Sequence, residues 1–96
     1  MSSHTTQQFR KLLKNLPKEI RKQAKEAYKH FEDNPYHPAL YFKRIHSTKP
    51  IYSIRISRDY RAVGIQHNNG IIWFWIGSHS DYDKILKRKR QINPTF

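Results

Sequence analysis

The 96-residue sequence contains no cysteine, which excludes disulfides, thiolate nucleophiles and any zinc site built on sulfur. It holds three glycines, with no glycine-rich phosphate loop and no G-x-S-x-G element for a serine nucleophile. Long apolar runs are missing too. The longest covers residues 71–76, far below the roughly 20 residues a membrane-spanning helix needs. The opening MSSHTTQQF lacks an apolar core of signal-peptide length. These absences predict a soluble, cytoplasmic protein with no membrane partner. None of the six histidines stands in an H-E-x-x-H or similar spacing, so neither a metal site nor a small-molecule cofactor is expected.

Acidic residues are scarce as well. Seven Asp and Glu face nineteen Lys and Arg, for a net charge of +12. Such a surface attracts phosphate backbones or an acidic protein through long-range, salt-sensitive forces. The plain alternative is a basic surface that merely keeps the chain soluble. Charge names a class of partner, not a reaction. At this length residues 1–96 make one domain, with 36% hydrophobic residues to share a single core.

The apolar pattern changes period once. Phe9, Leu12, Leu13 and Leu16 fall at i, i+3, i+4 and i+7, and Ile20, Ala24, Ala27, Tyr28 and Phe31 continue the stripe after Pro17. Residues 7–33 therefore read as a helical hairpin, apolar inside and basic outside, ending at Asn34-Pro35. Beyond residue 38 the period falls to about two. Residues 40–45, 51–57, 60–66 and 71–76 are rich in β-branched and aromatic side chains and read as strands. Asn69-Gly70 suits the positive backbone angles of a tight hairpin, and Arg58-Asp59 is an equally short link. The expected fold is α+β: the hairpin on one face of a roughly four-stranded antiparallel sheet, with a short C-terminal helix possible. The other face is left open or covered by something else. Gly77 is expected to end the last strand, placing His79 and Tyr82 at its mouth.

Alternation puts Ser53, Arg55 and Ser57 on one face of their strand, and Arg61, Val63 and Ile65 on one face of the next. Arg55 and Arg61 are polar intruders among core residues. Singly each could be a rim arginine with its head in water; together on adjacent strands they suggest an anion site. RNA can be cut without a metal when its 2′-hydroxyl attacks the neighbouring phosphate. That needs an acid/base group and one or two fixed cations. His79 is the acid/base candidate, histidine being the side chain most often used for proton transfer, Arg55 and Arg61 carry planar forks suited to phosphate, and Tyr82 could donate a proton or stack on a base. Trp73 and Trp75 offer a stacking face or core packing. Lys43, Arg44 and His46 at the sheet rim, with the basic tail Lys87, Arg88, Lys89 and Arg90, make up the expected RNA-binding set.

The succession LP…A…NP-Y-HPAL-YFKRI, then YSIRIS-RDYRAVGI, then IIWFWIGSHSDYDKIL resembles the RelE/ParE superfamily of toxins from type II toxin–antitoxin systems. The resemblance covers residues 5–86, and its most specific pieces are Tyr60-Arg61 and the ending Gly77, His79, Tyr82. It implies a short edge strand near residues 4–9, then the helical hairpin, then the sheet. It further implies ribosome-associated cleavage of mRNA, as in the RelE-like branch, and an acidic antitoxin protein as partner. Arg61 matches the family's phosphate-binding arginine and Arg55 a position where a basic strand residue is common. His79 falls where some members carry a catalytic histidine and others an arginine, and Tyr82 matches a late tyrosine. Members vary at these positions, and ParE-like members poison DNA gyrase without catalysis. A gyrase inhibitor and an inactive relic that binds antitoxin or RNA are therefore the alternatives.

Overall fold

A computed structural model describes residues 2–87. The chain opens with β1 (Ser2–Thr5) and turns at once into α1 (Gln7–Lys14). Thr6 makes the switch: its Oγ1 accepts the N–H of Phe9 at 3.0 Å, satisfying one of the unpaired donors of the helix start. The edge strand implied for residues 4–9 therefore ends at Thr5, and Phe9 belongs to the helix. Helix α2 (Lys18–Asp33) follows Pro17, which holds the capping position. The helix stops at Asn34, whose backbone is extended ahead of Pro35, as a residue before proline prefers.

The strand expected over residues 40–45 shrinks to β2 (Lys43–Arg44). Residues Pro38–Leu40 form a turn of 3-10 helix instead, with the His37 Nδ1 accepting the N–H of Ala39 at 3.1 Å. Tyr41 then adopts a left-handed backbone (φ 47°, ψ 47°) that no strand can contain. The remaining strands are β3 (Ile51–Ser57), β4 (Tyr60–His67) and β5 (Gly70–Ser78), and α3 (His79–Lys87) follows directly. The sheet has five strands in the order β1-β5-β4-β3-β2. All pairs are antiparallel except β1 with β5. Between β4 and β5 the left-handed residue is Asn68 (φ 54°), and Gly70 is already in the strand. Gly77 does not end β5 either; the strand runs on through Ser78.

Each face of the sheet has its own core. On the helical-hairpin side Phe31 is fully buried and meets Trp73 and Phe42 edge-on, both at 5.2 Å between centroids. Burying one such side chain stabilises the fold by about 1.5–3 kcal/mol. Ser3 fastens β1 to this core: its Oγ accepts the Trp73 indole N–H at 2.8 Å and its carbonyl the Tyr28 hydroxyl at 2.6 Å. The opposite face is covered in part by α3, whose Tyr82 and Leu86 pack with Ile51 and Val63.

A bulge sorts the two tryptophans. Val63 pairs with Trp75 but Gly64 with Trp73, leaving Phe74 as the extra residue. Alternation breaks there, so Trp73 enters the helix-side core while Phe74 and Trp75 join the other. Gly64 makes room for this: a Cβ on it would lie 2.7 Å from the Trp73 ring.

Candidate functional site

The arginines singled out in β3 and β4 face each other directly. Arg55 is the register partner of Arg61, and Arg61 in turn of Gly77 on β5. Opposed cross-strand side chains have Cβ atoms about 4.5–5.5 Å apart, where like charges repel. Burial, and after it the charge of Arg55, lower the Arg61 pKa from its ordinary value; Tyr82, Asp83 and Asp59 act in the opposite direction. Among the described residues neither arginine forms an ion pair with a carboxylate. Two guanidinium groups thus share one patch with no counter-charge in contact among the described residues.

Arg61 is also part of the turn beneath it. Its Nη1 donates to the carbonyls of Ser57 (2.7 Å), Tyr60 (2.9 Å) and Arg58 (3.3 Å). All three bonds fall on one amino group, and Nε and Nη2 meet no acceptor among the described residues. The guanidinium is fixed from behind and presents a fork outward.

His79 opens α3 beside this patch. Its backbone N–H donates to the Asp59 carbonyl at 2.7 Å, tying the helix start to the β3–β4 turn. Its Nδ1 lies 3.1 Å from the Asp83 carboxylate, one helical turn on, with both side chains about half exposed (45% and 49%). A hydrogen on Nδ1 bound to Asp83 leaves the Nε2 lone pair outward, the arrangement a general base needs. Asp83 was not among the residues expected here. The signal was present as a His-x-x-x-Asp spacing, legible only once the helix is known to begin at His79.

Tyr82 lies near His79, their rings 6.0 Å apart, but it is only 3% exposed. Its hydroxyl donates to the buried Ser53 Oγ at 3.0 Å. The side chain therefore anchors α3 to the sheet, and its hydroxyl is occupied there rather than turned to a ligand. Of the rim residues, Lys43 pairs with Ser53 and Arg44 with Tyr52, so the two point to opposite faces and do not form one surface. Arg44 Nε donates to the carbonyls of His46 (3.0 Å) and Lys49 (3.3 Å). His46 Nδ1 accepts the N–H groups of Lys49 (3.0 Å) and Thr48 (3.2 Å). Arg44 and His46 thus organise a loop at the far end of the sheet edge from His79. Lys87 ends α3, exposed; Arg88, Lys89 and Arg90 lie outside the described residues.

On the other face a groove of about 560 Å³ runs between the helices and the sheet. Phe9, Leu13, Ala24, Ile54 and Trp73 line it, and four basic residues, Arg10, Arg21, Lys25 and Lys29, stand with them beside one acidic residue, Glu32. Among the described residues there is no group of three or more His, Asp or Glu that could hold a metal ion, and no helix is long and apolar enough to cross a membrane.

This architecture has close relatives among solved structures. A chain of the RelB–RelE antitoxin–toxin complex from Methanococcus jannaschii is 25% identical and superposes with a TM-score of 0.69, over 84% of this chain and 96% of that one. YafQ from Escherichia coli strain BL21(DE3) gives a TM-score of 0.68 at 14% identity, over 84% and 96%. A chain of the YoeB dimer from Staphylococcus aureus gives 0.65 at 20% identity, over 82% and 97%. The last two similarities speak to the fold alone. No curated protein matches the sequence. A family model described as the ParE-like toxin domain matches residues 18–84. That span runs from the start of α2 to the turn of α3 bearing Asp83, well over half of the sequence, and the chain belongs to the ParE-like toxin domain family.

Proposed function

We propose that the protein is the toxin of a type II toxin–antitoxin module and acts as a metal-independent, ribosome-associated mRNA endoribonuclease in the cytoplasm. The observation that carries this reading is the opposed pair Arg55 and Arg61, without a carboxylate in contact among the described residues, beside a histidine held by Asp83. Two like charges in register cost stability, and an incoming phosphate turns that cost into attraction. The 2′-hydroxyl of bound RNA attacks the adjacent phosphorus, giving up its proton to His79 Nε2. Arg55 and Arg61 stabilise the charge that builds on the phosphoryl oxygens. The P–O5′ bond then breaks, the 5′-oxygen takes a proton from water, and the products carry a 2′,3′-cyclic phosphate and a 5′-hydroxyl. His79 later returns its proton to solvent. Lys43, on the same face, and the tail from Lys87 to Arg90 hold the RNA backbone by charge.

The partner in this reading is an acidic antitoxin, in keeping with the RelB–RelE pairing of the Methanococcus relative. The apolar groove with its four basic residues suits an amphipathic acidic segment.

The test is induced expression with mapping of mRNA 5′ ends beside the supercoiling state of DNA. Wild type is expected to give new 5′ ends with supercoiling unchanged; His79→Ala is expected to lose them. Because Arg61 also supports its turn, Arg61→Lys is the better variant, keeping charge but not the fork. Folded His79→Ala and Arg61→Lys proteins that remain fully toxic would overturn the nuclease. The ParE-like family match favours one second reading, a non-catalytic inhibitor of DNA gyrase. It predicts altered supercoiling with no new mRNA ends.

A further inference from the structure

The mechanism above leaves one unusual side chain unused. Tyr41 holds a left-handed backbone (φ 47°, ψ 47°), a conformation disfavoured for any residue with a Cβ and an outlier for a bulky one. No core packing offsets the strain at the residue itself, since Tyr41 is 63% exposed. Its neighbours enforce it. Leu40 is 1% exposed in the helix-side core, and Phe42 stacks on Tyr52 at 4.8 Å in the same layer. With the chain pinned on both sides, Tyr41 is turned outward. Backbone strain of this kind concentrates where a side chain is aimed at something.

The aim is toward β3. Strand pairing reaches only to Lys43, which faces Ser53, and the left-handed turn just before it brings Tyr41 to Arg55, two residues beyond Ser53. The Arg55 guanidinium indeed lies over the Tyr41 ring, 5.4 Å from its centroid. From there the row continues through Arg61 on β4 to Gly77 on β5, two residues before His79. Neighbouring strands are about 4.8 Å apart, so Tyr41 stands roughly 10 Å from Arg61, the scale of a nucleotide or two of extended single strand. One face of the ring carries the Arg55 guanidinium, and the side chain as a whole is well exposed.

We propose that Tyr41 is the base-stacking platform of the site, receiving a base of single-stranded RNA that flanks the phosphate held by Arg55 and Arg61. This deepens the nuclease reading and rests on it. Stacking on a tyrosine face tolerates any base, so Tyr41 confers affinity and register along the strand rather than sequence choice. Arg55 positions the ring by its cation–π contact and reaches the phosphate from the same place.

The experiment uses Tyr41→Gly, Tyr41→Ala, Tyr41→Phe and Tyr41→Trp in the full chain. Glycine takes the left-handed backbone without strain, so Tyr41→Gly is expected to keep its melting temperature while binding RNA more weakly. Binding is measured with a short single-stranded RNA carrying 2-aminopurine, in a His79→Ala background that leaves the RNA intact. Cleavage of mRNA is measured with His79 present. The Gly and Ala variants are expected to lose 2-aminopurine quenching and to bind about tenfold to a hundredfold more weakly. KM should rise accordingly and kcat should change little; Phe and Trp should restore both. If Tyr41→Gly binds, quenches and cuts like wild type, the platform is refuted and the nuclease stands. A wild-type protein that quenches 2-aminopurine without ever cutting RNA upholds the platform and refutes the nuclease. One that neither binds nor cuts refutes both.

Discussion

Replacing Asp83 by asparagine separates orientation from folding at the candidate site. The His79–Asp83 pair spans 3.1 Å, but both side chains are about half exposed. Water screens such a pair, and exposed ion pairs are worth about 0.2–1 kcal/mol. In a domain of this size 1 kcal/mol moves the melting temperature by about 4–8 °C. Asp83→Asn should therefore lower it by about 1–8 °C at most. Its effect on catalysis has a different origin. The carboxylate accepts the Nδ1–H and so fixes which nitrogen carries the lone pair, whereas the amide can offer either an oxygen or an N–H group to the ring. If about half to nine-tenths of the imidazoles adopt the wrong tautomer or rotate away, the rate falls about twofold to tenfold. Deleting the imidazole altogether in His79→Ala removes proton transfer and costs about 10²–10⁴. The assay is the initial rate of mRNA cleavage in a purified translation reaction, beside thermal unfolding of each variant. A rate unchanged in Asp83→Asn but lost in His79→Ala would show that Asp83 does not orient the ring. Rates unchanged in both would remove His79 from the chemistry.

Three further outcomes follow from the packing and the charge. Tyr82→Phe deletes the donor to the buried Ser53 Oγ and should cost about 1–2 kcal/mol in urea unfolding. Cleavage per folded molecule should be retained; a lost rate with intact stability would return Tyr82 to the site. Gly64→Ala drives a methyl to within 2.7 Å of the Trp73 ring and 2.9 Å of the Ile72 carbonyl, a clash that should destabilise by about 1–3 kcal/mol, visible as a lower denaturation midpoint. Changing Lys87, Arg88, Lys89 and Arg90 to alanine should flatten the salt dependence of RNA binding, by about 0.7 in log–log slope for each lost contact with a single strand. An unchanged slope in a salt titration would place RNA elsewhere.

Much of the fold was legible because periodicity reports burial. The stripe from Phe9 to Phe31 became α1 and α2, and the shift to a period of two located β3, β4 and β5 to within about two residues. Reading failed where one residue breaks the count. The left-handed Tyr41 cut the strand over residues 40–45 down to Lys43–Arg44. Phe74, as a bulge, sent Trp73 and Trp75 to opposite faces although they stand two apart. No composition rule marks either event, since both follow from how flanking residues pack against parts of the chain distant in sequence. The site divided along the same line. Arg55 and Arg61 were placed by alternation within their own strands, and their register confirmed the meeting. Asp83 depended on the first residue of α3, and element ends are where sequence patterns are weakest.

The strand that pairs in parallel has a consequence for how the molecule comes into being. Ser3 and Trp73 are hydrogen-bonded across 70 positions of chain, so β1 has nothing to join until β5 exists. Closing so long a loop costs entropy before any contact offsets it, and contacts this distant slow folding. A growing chain that has reached residue 69 holds both helices and both arginines, but Phe31 lacks Trp73, β4 lacks one neighbour and His79 has not been made. Synthesis thus withholds the wall of the core and the histidine together. A nascent fragment of that length lacks both, and both arrive with β5 and the start of α3.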